Sequence, residues 1–262
     1  MRIRIVILWI VILCSHTLSA QYAYFPQGGT IHFEKTVHVK NFLKTLTSVG
    51  KNDNFDKTYM EQMMSKAPET YIFKSKLLFS DEKSRYEPVK QELTGFMRSL
   101  IWFGLDYEGI FYQDMKKKQM HSLMDYQGTN MWTQDSLLNV KWKITDEYRE
   151  IAGYSCRRAN GVIMDSVYVV AFYTDDIPLS SGPSTFHGLP GMILGAVIPD
   201  RHTSIYATKV EIGQPEVTQV VGKKRDKPMT RKEIQSFLRE SMSVGEWTTE
   251  KQFKIQMLGL FL

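Results

Sequence analysis

The chain has 262 residues, a formal net charge of +5 and two cysteines, a length that fits one large domain or two small ones. Apolar residues make up 43% and charged residues 23%, which excludes intrinsic disorder as the default state. The 14 Phe, 13 Tyr and 5 Trp beside only 9 Pro favour pleated strands over a helical bundle.

Arg2 and Arg4 precede an unbroken apolar run, Ile5 to Leu13, that ends near Ser19-Ala20. This is the pattern of a signal peptide over residues 1–20, cut after Ala20, and the run is well short of the roughly 20 residues a membrane-spanning helix needs. Cys14 sits too early for lipid attachment. Cleavage would leave residues 21–262 with a charge of +3, one thiol (Cys156), no internal disulfide and no transmembrane span. The clusters Lys116-Lys117-Lys118 and Lys223-Lys224-Arg225 lack interleaved aromatics and read as solvated loops, so no nucleic-acid partner is expected.

Gly28-Gly29 breaks an irregular start from a strand over residues 31–39. There Ile31, Phe33, Val37 and Val39 share a face with Lys35, and His32, Glu34, Thr36 and His38 share the other. Residues 41–56 are polar and rich in Asn and Asp. Asp56 then caps a short helix carrying Tyr59, Met60, Met63 and Met64 until Pro68. Tyr71 to Phe79 reads as a strand, with a turn at Asp81–Ser84 and extended chain from Arg85 to Val89. From Ser99 to Trp142, short aromatic runs cut by turn residues such as Gln127-Gly128 predict an antiparallel meander. Trp142 and Ile144 share a strand face, and Asp146-Glu147 is read as the next turn.

Between Val162 and Tyr173 both alternating residue sets are largely apolar, the pattern of a strand covered on both faces. Asn160-Gly161 is the strongest local hairpin signal and would pair Gly153 with Tyr168. Near the C-terminus Thr230 and Glu233 form a capping box, followed by Ile234, Phe237, Leu238 and Met242 at helical spacing until Gly245. That helix is expected to cover the two-sided strand. Gln252 to Leu262 is apolar and is read as a last strand. No repeat or linker divides residues 21–262, which predicts a single domain.

Residues 182–194 carry a loop in which Gly182-Pro183 makes one bend. Pro190-Gly191 makes a type II turn, with positive φ expected at Gly191. Phe186 and Leu189 are held on that rigid loop, either as a plug of the core or as a binding surface. The hexapeptide Gly188-Leu189-Pro190-Gly191-Met192-Ile193 resembles the signature of the GLPGLI family, secreted proteins typical of Bacteroidetes, with Met192 replacing a leucine. The resemblance extends to Tyr154, Cys156 and Ala159, and to Tyr173, Thr174, Ile177 and Pro178. It implies export and a mainly β (α+β) fold. The expected form is a curved antiparallel open-barrel or bowl-like sheet with one or two packing helices. The family pattern also places a turn at Asp165-Ser166, which would make Asn160-Gly161 a bulge within a longer strand and is slightly preferred.

Five histidines follow the signal segment: His32, His38, His121, His187 and His202. His32 and His38 lie roughly 20 Å apart at strand rise, too far to share a metal, and no metal or cofactor is expected. The methionines fall at apolar positions and read as core filler. Cys156 beside Ala152 and Tyr154 reads as a small buried hydrophobe, and Asp175-Asp176 as a turn rather than paired catalytic carboxylates. No Walker loop, zinc-protease motif or nucleophile elbow occurs. The first expectation is a non-catalytic envelope protein that binds an apolar or peptide-like ligand or an outer-membrane protein. The alternatives are a secreted hydrolase with its site near Cys156 or Asp175-Asp176, and a metal-handling protein.

Overall fold

The computed structural model describes residues 25–49, 57–164, 166–245 and 248–262. The expected signal segment and the Asp56 cap lie outside them. Eleven strands form one antiparallel sheet. They are β1 (Gly28–Val37), β2 (Tyr71–Ser80), β3 (Lys83–Pro88), β4 (Ile110–Asp114), β5 (Gln119–Tyr126), β6 (Thr129–Ser136), β7 (Val140–Ile151), β8 (Tyr154–Ile163), β9 (Val167–Thr174), β10 (Met192–Ile198) and β11 (Thr203–Ile212). Their order is β6-β5-β4-β3-β2-β1-β11-β10-β9-β8-β7, two meanders joined side by side through β1 and β11.

The two outer strands, β6 and β7, are separated in the chain only by Leu137, Leu138 and Asn139. That link spans at most about 14 Å from Ser136 to Val140, whereas a flat sheet of this many strands would hold its edges roughly 48 Å apart. The sheet therefore rolls until its edges meet at a seam. Because β6 and β7 do not pair, the barrel stays open, which is the mainly β, curved and unclosed sheet expected.

Local chemistry sets the hairpins. Asp81-Glu82, Gln127-Gly128 and Ala152-Gly153 are two-residue connections with positive φ at both positions, the geometry that matches strand twist. The turn read at Asp146-Glu147 is instead a register shift inside β7, where Asp146 and Glu147 each meet an arginine of β8 at 2.6 Å, Arg157 and Arg158. Asn160-Gly161 is not a turn either. Gly161 pairs with Val169 in an unbroken β8–β9 register that ends at Ile163 and Val167, so neither a hairpin nor a bulge forms at Asn160; Asp165 of the other expected turn lies outside the described residues. Gly28 and Gly29, read as a break, begin β1 and pair on both sides.

The helices are α1 (Val39–Val49), α2 (Lys57–Lys66), α3 (Gly95–Trp102), α4 (Arg231–Ser241) and α5 (Glu250–Phe261). Two of them replace other expectations. Val39, read as the end of the first strand, instead begins α1, and the polar reading of residues 41–56 overlooked Phe42, Leu43 and Leu46, which continue its apolar stripe. Val39, Phe42 and Leu43 are buried in a second core with Met60, Met63 and Leu100. The apolar tail read as a strand is α5, capped reciprocally by Thr249 and Gln252. Phe253, Met257, Leu258, Leu260 and Phe261 are buried in the main core, while Glu250 and Lys251 at its start are exposed. Ser99–Trp102, read as the start of the meander, closes α3, whose N-cap Thr94 accepts from Met97 N at 3.2 Å. No described helix is long and apolar enough to cross a membrane.

β9 is buried on one face only, through Val167, Val169, Ala171 and Tyr173, while Tyr168 opposite is 42% exposed. The capped helix α4 does not cover it. It packs against β6, and Met229 just ahead of it exchanges backbone hydrogen bonds with Trp132 O and Gln134 N at 2.9 and 3.0 Å. This covers part of the β6 edge that would otherwise be open to pairing.

On β1 the inward set Ile31, Phe33, Lys35 and Val37 is buried, as the alternation requires. Lys35 is tolerated there because its Nζ meets Asp106 Oδ2 at 3.2 Å, with both side chains about one-tenth exposed. Breaking a buried pair strands a charge, so Lys35→Met is expected to lower stability by about 3–5 kcal/mol. Lys35→Met/Asp106→Asn, which keeps the bond from Glu108 N to the Asp106 side chain, is expected to recover most of that loss. Urea denaturation of both variants checks this; equal stability of the two would refute it.

Candidate functional site

Between β9 and β10, residues 175–191 cross the inside of the rolled sheet and are tied to it on every side. Ile177 O accepts from Met192 N at 3.0 Å, and Ser181 O from Ile193 N at 2.8 Å. Ser181 Oγ lies 2.7 Å from Ser84 Oγ on β3, and Gln113 of β4 donates to Ser184 O at 3.0 Å. Thr185 donates to Phe261 O of α5 at 2.6 Å. Ile177, Phe186, Leu189, Met192 and Ile193 are at most 2% exposed, so the apolar residues of the loop plug the core. Pro178, Gly188 and Pro190 lie at its surface, while Gly182 and Pro183 are buried.

The motif glycines have distinct reasons. Gly188 takes a φ of +93°, which only glycine adopts cheaply. Gly191 is not in that region, contrary to the type II turn expected. Its need is contact: a Cβ there would lie 2.0 Å from Thr174 O. A third glycine, Gly161 on β8, lies flat under the Trp142 ring, where a Cβ would come within 2.5 Å. That indole donates to His187 O at 2.8 Å, and His187 Nε2 lies 2.6 Å from Leu138 O in the link between β6 and β7. A carbonyl can only accept, so Nε2 carries the proton. The hexapeptide loop thus clasps both sides of the seam from within.

Just outside that clasp, an open groove of about 590 Å³ runs along the seam between the β8–β9 turn, α4 and α5. Leu138, Met164, Val167, Phe253 and Met257 form its apolar floor, and Arg231, Lys232, Arg239 and Lys254 line it with positive charge. Arg239 grips Glu250 through two nitrogens at 2.5 and 3.0 Å and lies over the Phe253 ring, 4.4 Å from its centroid. Arg231 donates to Ser136 O at 2.8 Å and lies 3.5 Å from Asp135. Lys232 and Lys254 form no ion pair among the described residues, so the groove carries an unbalanced positive charge.

The other sequence candidates separate. Cys156 and Ala159 are fully buried, Tyr173 and Thr174 nearly so, and Tyr154 is half-buried at the start of β8. Burial, reinforced by Asp176, pushes the Cys156 thiol up to about 12, the opposite of the shift a nucleophilic thiolate requires. Asp175 and Asp176 are exposed, and Asp176 N donates to Thr174 Oγ1 at 3.3 Å in a tight bend. The histidines stand apart: His32 is 3.0 Å from Glu211, and His202 is 3.4 Å from Thr45. Among the described residues, no group of three or more His, Cys, Asp or Glu gathers around a point. The groove cations went unread in the sequence. Arg239, Glu250 and Lys254 lie on two helices, one of them mistaken for a strand.

Two outcomes test the clasp. Gly191→Ala must push against backbone and is expected to cost about 3 kcal/mol or more, while Gly213→Ala, with open space around it, stays near neutral. Equal effects in thermal melts would refute the close-approach reason. Burial also lowers the His187 pKa below its ordinary 6.5, opposed by the bond to Leu138 O. The unfolded chain therefore binds more protons just below that value, and stability is lost as pH falls from about 6.5 toward the folded pKa. His121, also lowered by burial, acts in the same sense. His187→Gln should flatten, without abolishing, the dependence of the urea midpoint on pH between about 7 and 5; an unchanged slope would refute it.

Residues 161–195 match the model of a family described as "Protein of unknown function (Porph_ging)". The matched span runs from Gly161 under Trp142, through β9 and the loop, to the middle of β10. No curated protein matches the chain. Among solved structures the chain is similar to "Structure of PNGF-II in C2 space group", with a TM-score of 0.47 and 14% identity over 72% of this chain and 28% of that one. A second PNGF-II structure, in P21 space group, gives 0.45 and 14% over 72% and 29%. The chain therefore spans less than a third of the length of those proteins.

Proposed function

We propose that this chain is an exported cell-envelope protein of the GLPGLI kind, non-catalytic, that binds an apolar ligand bearing a negative charge in the groove along its seam. Export is supported by the basic start and the apolar run from Ile5 to Leu13, and the family assignment by the hexapeptide inside the matched span. The ligand reading rests on one observation. The barrel interior is filled by the chain's own loop and α5, while the seam offers an apolar floor beneath cations of which Lys232 and Lys254 have no carboxylate partner among the described residues. Such a mix of apolar lining and few convergent charges suits an acyl chain with a carboxylate, or a peptide with an apolar side chain and acidic neighbour. An outer-membrane protein presenting such a segment would dock in the same place.

Calorimetric titration with decanoate, its methyl ester and decylamine tests this. Saturable binding of decanoate is expected. The ester, or decanoate against Lys232→Glu/Lys254→Glu, should bind about tenfold more weakly, since two exposed charge contacts together contribute about 1.4 kcal/mol. Equal binding of ester and acid, or none of either, would sink the reading.

A further inference from the structure

A second open cleft shares no residue with the seam groove. It holds about 690 Å³ where the end of α3 stands over β4, β5 and the start of β6. Trp102, the last residue of α3, lines it with 53% of its surface open, on a wall continued by Ile110 and Leu123. Around this platform stand Arg98, Glu108 and Asn130, whose side chains take no hydrogen-bond partner among the described residues. Arg98 is the one cation of the lining and stands beside two carboxylates, Glu108 and Asp125, so the cleft does not suit an anionic ligand.

Glu108 is held in place from the core. Its backbone is in the left-handed region at φ +46°, and its N–H donates to Asp106 Oδ1 at 2.9 Å. Asp106 is in turn fixed by Lys35 of β1. Strain of this kind persists where surrounding structure over-determines it, often at binding sites. Glu108 lines both the cleft and a small inner cavity of about 30 Å³ beside Lys35 and Asp106. Partial burial, helped by Asp106, raises its carboxyl, which favours the protonated form that both donates and accepts.

An exposed indole beside unpaired donors and acceptors, with no excess of positive charge, fits an uncharged ligand that has an apolar face and a polar edge. A sugar ring has an apolar C–H face to lie on an aromatic ring and hydroxyls that donate and accept around its edge. We propose that this cleft binds a neutral saccharide, with Trp102 beneath a sugar ring and Arg98, Glu108 and Asn130 hydrogen-bonding its hydroxyls. The site is independent of the seam groove and of the ligand assigned there.

Calorimetric titration of the full folded chain with cellotetraose, maltotetraose, chitotetraose and an α-linked mannotetraose decides it. At least one should bind with a Kd below about 1 mM. Trp102→Ala should weaken that binding at least tenfold, and Asn130→Ala roughly threefold or more. Trp102 is exposed enough for its truncation to leave the fold intact, which circular dichroism verifies, and decanoate binding at the seam should be unaffected. No binding by any of the four, or binding that Trp102→Ala leaves unchanged, overturns the proposal. Loss of decanoate binding with saccharide binding retained would overturn only the seam assignment.

Discussion

A three-residue link sets the architecture. Leu137 to Asn139 must carry the chain from one edge of an eleven-stranded sheet to the other, and a link that short is possible only if the sheet is rolled. Rolling encloses an apolar concavity that has to be filled at close to crystalline density. The chain fills it from two places distant in sequence: the segment 175–191, with Phe186, Leu189 and Met192, and α5, with Phe253, Leu258 and Phe261. Thr185 and the Phe261 carbonyl join these two plugs directly, at 2.6 Å.

Filling the interior changes what the family-matched segment does. Its glycines and buried apolar residues meet packing and backbone demands, and its one histidine, His187, holds the link carbonyl while the Trp142 indole holds His187's own. The loop that carries the hexapeptide is thus a clasp at the seam, through His187 just ahead of it. The open grooves lie outside this clasp, where the roll is incomplete or where a helix end overhangs strand ends. The same geometry leaves β7 as an unpaired edge, and its Lys141, Lys143, Asp146, Glu147 and Glu150 discourage further strand pairing there.

Much of the sheet was legible because strand faces alternate with a strictly local period. The inward face of β1, including its out-of-character Lys35, could be read directly, as could the Gln127-Gly128 turn and the Thr230 capping box. Two helices were missed for opposite reasons. In α1 the apolar stripe was hidden among polar neighbours, although Val39, Phe42, Leu43 and Leu46 repeat at helical spacing. In α5 the last residues, from Met257 to Leu262, are apolar almost without a break because they sit in the core, so no stripe stood out there. Only Thr249 with Gln252 marked the start of the helix. At Asn160-Gly161 a strong turn signal was overruled: the glycine is there for the Trp142 ring above it, a contact no local rule can see.

Taken alone, the sequence determined most of the strands and the inward face of β1, the N-terminal cap of α4, and a Gly-Pro loop with buried apolar residues. These depend on side-chain alternation and φ preferences that act over a few residues. Only the tertiary structure decided that the sheet is held at a seam, that Gly191 answers to the Thr174 carbonyl rather than to a turn, and that Cys156 is sealed away from chemistry. It alone placed Lys35 against Asp106 and gathered cations of α4 and α5 over one groove. Each is a contact between residues far apart in the chain, set by the roll of the whole sheet rather than by any neighbouring residue.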